Sequence, residues 1–353
     1  MTPDRRVPGE PSARPTIKAV AQHAGVSYQT VSNAINAPDR LKPDTLARVL
    51  ESIEALGYKP SQAARNLRTQ STGMIGFRFS RSSGSGIASI EDRFLHALSV
   101  AGRERGYGVI VFCADDDDDE IVMYADLLGR NAVDGFILMN SHSADQRTTW
   151  LSDREIPFVS FGRPWSEPAR PYSWIDVDGA SGVRLAVQDL AAAGHRRIGF
   201  IGWNPGDEVG DDRYAGWLET TKALDLPSEG LAARGPGGIA GGAVLAEQLL
   251  SAPAPPTALV CVCDATAVGA MQAVRQRGQT VGRDVAVIGF DDSPLCTVVQ
   301  PTLTSLRQPL ESVARRCVDL LAEHIDDPNR PPHTSIVEPA LVQRESSTTA
   351  TSE

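Results

Sequence analysis

The sequence is poor in the features of a secreted or membrane-spanning protein. Its 353 residues contain only five cysteines, an odd number, and none of them forms a CxxC pair. This usage argues against a framework of disulfide bonds and is typical of a reducing compartment. No run approaches about eighteen consecutive apolar residues, and residues 1–15 lack the apolar core of a signal peptide. The sequence therefore predicts a cytoplasmic protein with no membrane partner.

Signatures of catalysis and of cofactor or metal binding are also missing. The chain has no Gly-x-Ser-x-Gly elbow, and its six histidines show no ligand spacing. The segment GSGIAS lacks the third glycine of a dinucleotide-binding fingerprint, and GPGGIAGGA lacks the Lys-Ser/Thr ending of a phosphate-binding loop. Residues 115–120, DDDDDE, are adjacent carboxylates that cannot converge on one ion, so we expect a solvated loop before a helix at Ile121. No enzymatic activity, cofactor or metal site is expected.

The acidic composition argues against a nucleic-acid partner only while the chain is taken as a whole. The formal net charge is −10, but residues 1–70 hold ten Lys and Arg against six Asp and Glu, and the remainder holds 24 against 38. A basic head on an acidic body is an asymmetry that favours polyanion binding by the head. The length also exceeds what one hydrophobic core usually supports, so two or three domains are expected.

Residues 15–60 have the pattern of three short helices. Apolar residues recur at helical spacing after Thr16, which is placed to cap the first helix, and Gly25 is placed to end it. Ser27 can cap a second helix, and Pro43 suits the first turn of a third. The tight turn between the first two helices predicts a helix-turn-helix DNA-binding domain.

The second helix presents side chains that can read DNA in the major groove. Tyr28, Gln29, Ser32 and Asn33 lie on its polar face, and Gln and Asn suit bidentate hydrogen bonds with adenine. Affinity would come from basic residues on phosphates, while neutral amides and hydroxyls read the bases. The alternative is a structural helical bundle whose polar residues face solvent. The candidate DNA contacts in this segment are Thr16, Ser27, Tyr28, Gln29, Thr30, Ser32, Asn33 and Asn36.

From residue 72 to residue 345, apolar runs typical of buried strands alternate with amphipathic helical stretches. Such alternation predicts doubly wound parallel α/β sheets, and its length suits two lobes with a ligand cleft beyond the carboxyl ends of the strands. Residues 1–14 and 346–353 are rich in Pro, Arg, Ser and Thr, so disordered tails are expected there. The expected lobe boundaries are about 72–172 with 304–333 for lobe 1, and about 173–303 with 334–345 for lobe 2.

Polar clusters fall where strands of the core are expected to end. Arg163 and Trp165 follow one strand, Arg213 precedes a helix in GDDRYAGW, and Asp291 ends another strand. Carboxylates and arginines with tryptophan platforms suit a sugar, whose hydroxyls need donors and acceptors while its C–H faces stack on rings. A nucleobase would instead favour aromatic sandwiching with fewer carboxylates. Two further aspartates are interpreted as helix caps, Asp178 and Asp264.

The segments TIKAVAQHAGVSYQTVSNAIN and LKPDTLARVLESIEALGYKPSQAARNL, with the α/β body, resemble the lactose-repressor (LacI/GalR) family of bacterial transcription regulators. The resemblance implies an all-α helix-turn-helix head-piece and a two-lobed core like that of periplasmic binding proteins. In that family, positions matching Tyr28, Gln29 and Asn33 read bases. The resemblance further implies a hinge helix at 61–71 that inserts a leucine into the minor groove. The residues that match this hinge function are Arg65, Leu67 and Arg68.

The resemblance also implies that the core binds a small effector. Arg213 and Asp291 match ligand-bonding positions, whereas Cys263 and Gly162 replace an Asn and an Asp of a sugar-responsive member. No aromatic residue within GPGGIAGGA replaces a ligand-stacking tryptophan. The candidate effector contacts are Ser80, Arg163, Trp165, Trp174, Arg213, Cys263, Asp264, Asp291 and Gln308.

The implied function is a homodimeric transcriptional repressor that binds a pseudo-palindromic operator under the control of a sugar or glycoside. A nucleobase or another metabolite is the nearer rival as effector. A sugar-binding protein of transport shares the two-lobed body, but it would not carry a helix-turn-helix.

Overall fold

A computed structural model describes residues 15–58, 71–80 and 90–347 of the chain. The chain divides into two units, one ending at Thr72 and the other beginning at Gly73. The tail expected at 1–14 and almost all of the hinge expected at 61–71 lie outside the described residues.

The first unit contains three helices: α1 (Ile17–Ala24), α2 (Tyr28–Asn36) and α3 (Pro43–Ala55), with a 3₁₀ turn at Pro38–Arg40. The small apolar core has the fully buried side chains Val20, Val31 and Val49, one from each helix. Each sits at a position that the helical spacing turns inward. The helix-turn-helix predicted from the sequence is confirmed.

The ends of these helices follow from local chemistry. The Thr16 hydroxyl accepts the backbone N–H of Ala19 at 3.3 Å, and the Ser27 hydroxyl accepts that of Thr30 at 3.1 Å. Gly25 ends α1 with φ 62°, a left-handed conformation that costs glycine little. Each expected cap thus satisfies a backbone donor that a helix N-terminus leaves without an intrahelical partner.

The second unit contains two six-stranded sheets within the described ranges. The first sheet has the order β11-β5-β4-β3-β1-β2, and all of its pairs are parallel. Its strands are β1 (Met74–Ser80), β2 (Gly108–Ala114), β3 (Gly135–Met139), β4 (Phe158–Phe161), β5 (Ser173–Val177) and β11 (Thr334–Val337).

The second sheet has the order β12-β10-β9-β8-β6-β7, in which only β12 runs antiparallel to its neighbour among the described strands. Its strands are β6 (Ile198–Gly202), β7 (Ala232–Arg234), β8 (Ala258–Cys261), β9 (Ala286–Asp291), β10 (Thr304–Arg307) and β12 (Ala340–Val342). We call the first sheet with its helices lobe 1, and the second sheet with its helices lobe 2.

Helices cover both faces of each sheet, which is why strands such as β8 are apolar at every position. The helices of this unit are α4 (Ile90–Glu104), α5 (Asp117–Gly129), α6 (Gln146–Asp153), α7 (Gly179–Ala192), α8 (Glu208–Ala223), α9 (Gly238–Leu250), α10 (Asp264–Gln276), α11 (Leu295–Val298) and α12 (Leu310–Asp326). In lobe 1, helices α4 and α12 pack on one face of the sheet, and α5 and α6 pack on the other. In lobe 2, α7 and α8 pack on one face, and α9 and α10 pack on the other.

The expected lobe boundaries are wrong at each crossing of the chain. Strands β5 and β11, which were expected in lobe 2, pair with each other in the first sheet, and β5 also pairs with β4. Strand β10, which was expected in lobe 1, pairs with β9 and β12 in the second sheet. Sheet membership depends on hydrogen bonds to residues far away in sequence, so a local pattern does not reveal it.

The expected C-terminal tail also begins later than residue 346. Ser346 and Ser347 are buried in a 3₁₀ turn, Glu345–Ser347. The Ser346 hydroxyl donates to the carbonyl of Val287 and accepts the N–H of Thr304. These bonds to β9 and β10 fix a segment whose polar composition suggested disorder.

The acidic run is the first turn of α5 rather than a loop. Asp116 caps this helix, and Glu120 is buried beside the guanidinium of Arg147 at 3.0 Å. The fold also brings Asp117 and Asp145 together, and Arg147 contacts both carboxylates. The guanidinium of Arg147 therefore already occupies the space between these carboxylates. In the described parts of the chain, no helix is both long and apolar enough to cross a bilayer.

We expect Gly269→Ala to destabilise lobe 2, because the added Cβ would lie 2.6 Å from the backbone nitrogen of Ala243 on the neighbouring helix. Backbone cannot move aside cheaply, so the free energy of unfolding should fall by about 1–3 kcal/mol. Gly129→Ala is the matched control, since nothing lies within 4 Å of a Cβ there. Urea unfolding that gave both variants the same stability would contradict the close packing of α9 on α10.

Candidate functional site

The outer face of α2 carries the side chains expected to read DNA. Val31 and Ala34 are buried and fix the orientation of the helix, whereas Tyr28 is 54% exposed. The Gln29 side-chain amide donates to the Asn33 side-chain oxygen at 3.2 Å. The two amides thus lie next to each other on one face of the helix, and each side chain carries both a donor and an acceptor, the pair that a base edge such as that of adenine needs.

Other expected DNA contacts of this unit have structural roles as well. Thr16 and Ser27 are helix caps, and the Thr30 hydroxyl lies 2.9 Å from that of Ser27. The Asn36 amide donates to the carbonyl of Ser32. Their remaining hydrogen-bonding capacity is available to DNA phosphates. Arg65, Leu67 and Arg68 lie outside the described residues, so their hinge roles stay predictions.

A cavity of about 920 Å³ lies between the two lobes of the core. Residues that follow the carboxyl ends of β3, β4, β6, β8 and β9 line it, together with the start of α8 and α9. This is the location expected for ligands in parallel α/β sheets. The volume is that of a small-molecule site.

Lobe 1 contributes an arginine, a tryptophan and an aspartate. Arg163 follows β4, and its guanidinium bonds to the Asp176 carboxylate on β5. The same guanidinium lies 5.1 Å from the ring centroid of Trp165. Gly162 adopts φ 128°, and a Cβ there would collide with Ser141. Glycine is therefore needed at position 162, because the loop that positions Arg163 has a backbone conformation and a close neighbour that exclude a side chain there.

Lobe 2 also contributes an arginine, a tryptophan and an aspartate to the cleft. Arg213 is buried on α8, where its guanidinium donates to the carbonyl of Val262 and lies 3.6 Å from the Phe290 ring centroid. Trp203 follows β6, with its ring centroid 5.6 Å from that guanidinium. Asp291 ends β9, where burial raises the pKa of its carboxyl and the nearby charge of Arg213 offsets only part of that rise. Each lobe thus presents an arginine–tryptophan–aspartate set to the cleft.

Three buried donors of these sets have no hydrogen-bond partner among the described residues. They are Arg163 Nη2 and Trp165 Nε1 in lobe 1, and Arg213 Nε in lobe 2. A buried donor without an acceptor costs about 1–3 kcal/mol, so such groups are uncommon except where a ligand completes them. Arg163, Trp165 and Arg213 all line the cavity through other parts of their side chains, so these donors lie directly behind its wall.

Asp291 combines strain with an altered pKa. Its φ is 109°, a conformation that side chains rarely adopt, and the Gln308 amide donates to its carboxylate at 2.7 Å. Burial raises the pKa of Asp291 to about 7, and the charge of Asp264 adds to the increase. Strained backbone with a shifted carboxyl is typical of a binding site.

Three contacts join the lobes across the cleft. The Arg93 guanidinium of lobe 1 donates to the carbonyl of Asp291, and Arg163 lies 3.7 Å from the Asp212 carboxylate of α8. The backbone N–H of Ser143 in lobe 1 donates to the Glu208 carboxylate of lobe 2 at 2.9 Å. Since Arg163, Asp212, Glu208 and Asp291 also line the cavity, the lobes are held together by groups that a ligand would contact.

The structure brings seven of the nine expected effector residues to the cavity wall, and Asp264 is one of them. Cys263 and Gln308 join Arg163, Trp165, Arg213 and Asp291 there. Asp178 caps α7 as expected, through the N–H of Ser181. Gln308 is buried and holds Asp291, so it positions that carboxylate.

Four expectations about individual residues are wrong. Trp174 packs against the apolar cluster under α5 and α6 and does not line the cavity. Ser80 bonds through its N–H to Glu91 and is not among the described lining residues. Asp264 does not cap its helix, because its carboxylate instead accepts the Ser293 N–H and the Ser305 hydroxyl. Arg213 also lies inside α8 rather than before it.

The sequence reasoning missed several lining residues. Trp203 stands directly after β6, and Asn140 directly after β3, so their position beyond a strand end was the available signal. The Trp203 ring packs against Gly237, which explains how the glycine-rich segment around α9 borders an aromatic surface without containing one. Glu91 and Glu208 came to the cleft from helices, and no local pattern marks them.

Comparison with known proteins gives consistent matches to both units. Residues 16–61 match the family described as bacterial regulatory proteins, lacI family, and residues 187–347 match the periplasmic binding protein-like domain. The HTH-type transcriptional regulator CelR of Thermobifida fusca is 32% identical over 336 residues, which cover 94% of this chain and 98% of the relative. The HTH-type transcriptional repressor PurR of Photorhabdus laumondii is 32% identical over 334 residues, with 94% and 96% covered.

Among solved structures, the transcriptional regulator CelR–cellobiose complex superposes with a TM-score of 0.71 at 30% identity. The match covers 94% of this chain and all of that chain, 100%. The agreement extends over the helix-turn-helix unit and the two-lobed core together.

We expect Asp291→Asn to flatten the pH dependence of core stability. Between the unfolded pKa near 3.9 and the folded pKa of about 7, the folded carboxyl binds more protons, so stability falls as pH rises through this window. The neutral amide should remove part of this fall, on the order of 1 kcal/mol between pH 5 and pH 8. Thermal unfolding at stepped pH measures it.

Asp284→Asn is the control for this measurement, because the Arg283 guanidinium lowers the pKa of that carboxyl. Its effect should appear only towards acidic pH and with the opposite sign. Equal pH profiles for wild type and Asp291→Asn would show that Asp291 is ionised throughout.

Proposed function

Because the chain belongs to the lacI family of bacterial regulatory proteins, we propose that it represses transcription by binding an operator under the control of a saccharide effector. The helix-turn-helix unit binds the DNA, and the cleft of the core binds the effector. The observation that supports the effector most directly is the pair of arginine–tryptophan–aspartate sets on facing lobes.

A saccharide suits this pair of sets for chemical reasons. Its hydroxyls accept from guanidinium and indole N–H groups and donate to carboxylates, and its C–H faces stack on tryptophan rings. A similar relative has been solved as a cellobiose complex, which agrees with this class of ligand. The rings of Trp165 and Trp203 would also accept a nucleobase, the second candidate. The many carboxylates around them favour the saccharide.

Operator binding follows from α2 and the basic residues of the first unit. Gln29 and Asn33 read base edges, while exposed cations such as Lys18 and Arg48 bind phosphates. Two copies in a homodimer place two such helices on the half-sites of a pseudo-palindrome. The hinge around Leu67 inserts that leucine into the minor groove, with Arg65 and Arg68 beside it.

The effector acts on DNA binding through the lobes. Three contacts across the cleft involve groups that line it, so a ligand that bonds to those groups changes the preferred arrangement of the two lobes. A ligand shifts such an equilibrium only by its differential affinity for the two states, typically about 1–3 kcal/mol. A transport protein with the same body would have no use for the helix-turn-helix.

We expect the double variant Gln29→Ala with Asn33→Ala to lose sequence discrimination. Each good side-chain pair with a base contributes about 1–3 kcal/mol, so the ratio of specific to non-specific affinity should fall at least about tenfold. Selection of DNA fragments by the wild type supplies the operator, and fluorescence anisotropy at fixed salt measures both affinities.

Glu51→Ala on the exposed side of α3 is the matched control. It removes a negative charge and should change both affinities together, leaving their ratio unchanged. A double variant that kept the wild-type ratio would assign base recognition to other residues.

A further inference from the structure

We propose that the cleft selects an uncharged saccharide and rejects phosphorylated or carboxylated ligands of the same shape. This inference depends on the proposed function, since it specifies the chemistry of the effector at the same site. It follows from the charges of the lining, from the occupants of the helix ends and from the donors left without partners.

The lining is strongly acidic. Among the described lining residues, seven carboxylates face two guanidinium groups, those of Arg163 and Arg213. Burial raises the pKa of Asp212, Asp264 and Asp291, while the other four carboxylates alone outnumber the two cations. The seven are Glu91, Asp176, Asp207, Glu208, Asp212, Asp264 and Asp291.

Both cations already have anionic neighbours. The Arg163 guanidinium bonds to Asp176 and lies 3.7 Å from Asp212, and Arg213 lies in the field of Asp291. A phosphate at either position would be brought beside a carboxylate in a site of reduced dielectric constant. Like charges at that range repel strongly, so an anion gains little from the arginines.

Two of the helix N-termini at the cleft, those of α7 and α8, are occupied by carboxylates of the chain itself. Asp178 caps α7, Asp207 caps α8, and Asp212 accepts the N–H of Ala180 in the first turn of α7. Asp264 stands at the first position of α10. Free N–H groups at these ends are what would bind phosphate in other α/β proteins.

Helix α9 has no carboxylate in its first turn, and Gly237 at its N-cap has no side chain. Gly237 and Gly238 line the cleft, so the N-terminus of α9 lies at the cavity wall. The backbone N–H groups at this helix end are hydrogen-bond donors, and a hydroxyl or ether oxygen of a ligand can accept from them. A phosphorylated ligand that bound tightly would do so here, and this is the outcome that contradicts the proposal.

The buried donors without partners are met by neutral oxygens. Arg163 Nη2 and Trp165 Nε1 lie in lobe 1, and Arg213 Nε lies in lobe 2. One ligand that satisfies all three spans the cleft and holds both lobes. A polyhydroxylated ring system supplies acceptors in several directions without adding negative charge to an acidic site.

The test is thermal unfolding of the full chain with matched pairs of ligands. Suitable pairs are trehalose with trehalose 6-phosphate, cellobiose with cellobionate, and glucose with glucose 6-phosphate, with potassium phosphate as the anion control. We expect at least one uncharged member to raise Tm with concentration, as mass action requires. Its charged partner should bind at least about tenfold more weakly by titration calorimetry.

Either of two results would overturn the proposal. One is tighter binding by a charged member than by its neutral partner. The other is an absence of stabilisation by every uncharged saccharide at tens of millimolar. The same preparation is assayed for selective DNA binding, so failure here is separable from failure of the regulatory function.

Trp165→Phe tests the donor requirement with the saccharide that stabilises most. The variant removes one buried N–H and keeps an aromatic surface, so affinity should fall about tenfold while the ligand-free Tm stays near that of wild type. Trp150→Phe is the matched control on α6, where the indole stacks with Arg154 away from the cavity. Equal affinity in both variants would remove Trp165 from the binding set.

Discussion

The burial of the Arg213 guanidinium is the interaction around which the cleft is organised. A cation removed from water is costly unless partners surround it, and here Phe290, the carbonyl of Val262 and Asp291 do so. Asp291 adopts a strained backbone conformation within the field of this cation, and the Gln308 amide donates to its carboxylate. Arg213 Nε has no acceptor among the described residues, so a ligand that bonds to it would supply one.

The same groups connect recognition to the relation between the lobes. Arg163 pairs with Asp176 in its own lobe and approaches Asp212 of the other, and Glu208 reaches across to Ser143. A ligand that bonds to the same side chains competes with these contacts between the lobes, so ligand binding acts on the arrangement of the lobes directly. The core is joined to a DNA-binding head in this family. The free energy of a few altered hydrogen bonds between the lobes is therefore comparable with a typical coupling free energy between effector binding and DNA binding.

The sequence predicted those features of the structure whose interacting residues are close together along the chain, and it failed where the partners are far apart. The caps at Thr16, Gly25 and Ser27 use partners within four residues, and the predicted helices are confirmed there. The lobe membership of β5, β10 and β11 depends on pairing with distant strands, and the local pattern placed them wrongly. Asp264 looked like a cap because it begins a helix, but its carboxylate accepts the hydroxyl of Ser305, which is 41 residues away in the sequence. Trp203 was missed because its neighbour Gly237 is also remote.

The repeated crossing of the chain between lobes has a consequence for synthesis on the ribosome. Helix α12 covers one face of the first sheet with Cys317, Val318 and Leu321, all fully buried, and β11 completes its edge. Both elements lie near the end of a chain whose first strand starts at Met74. During translation the part of that face under α12 therefore stays uncovered until strands β6 to β10 of the other lobe have also been made. Lobe 1 cannot complete its core as an independent N-terminal unit, so the two lobes reach the native state together.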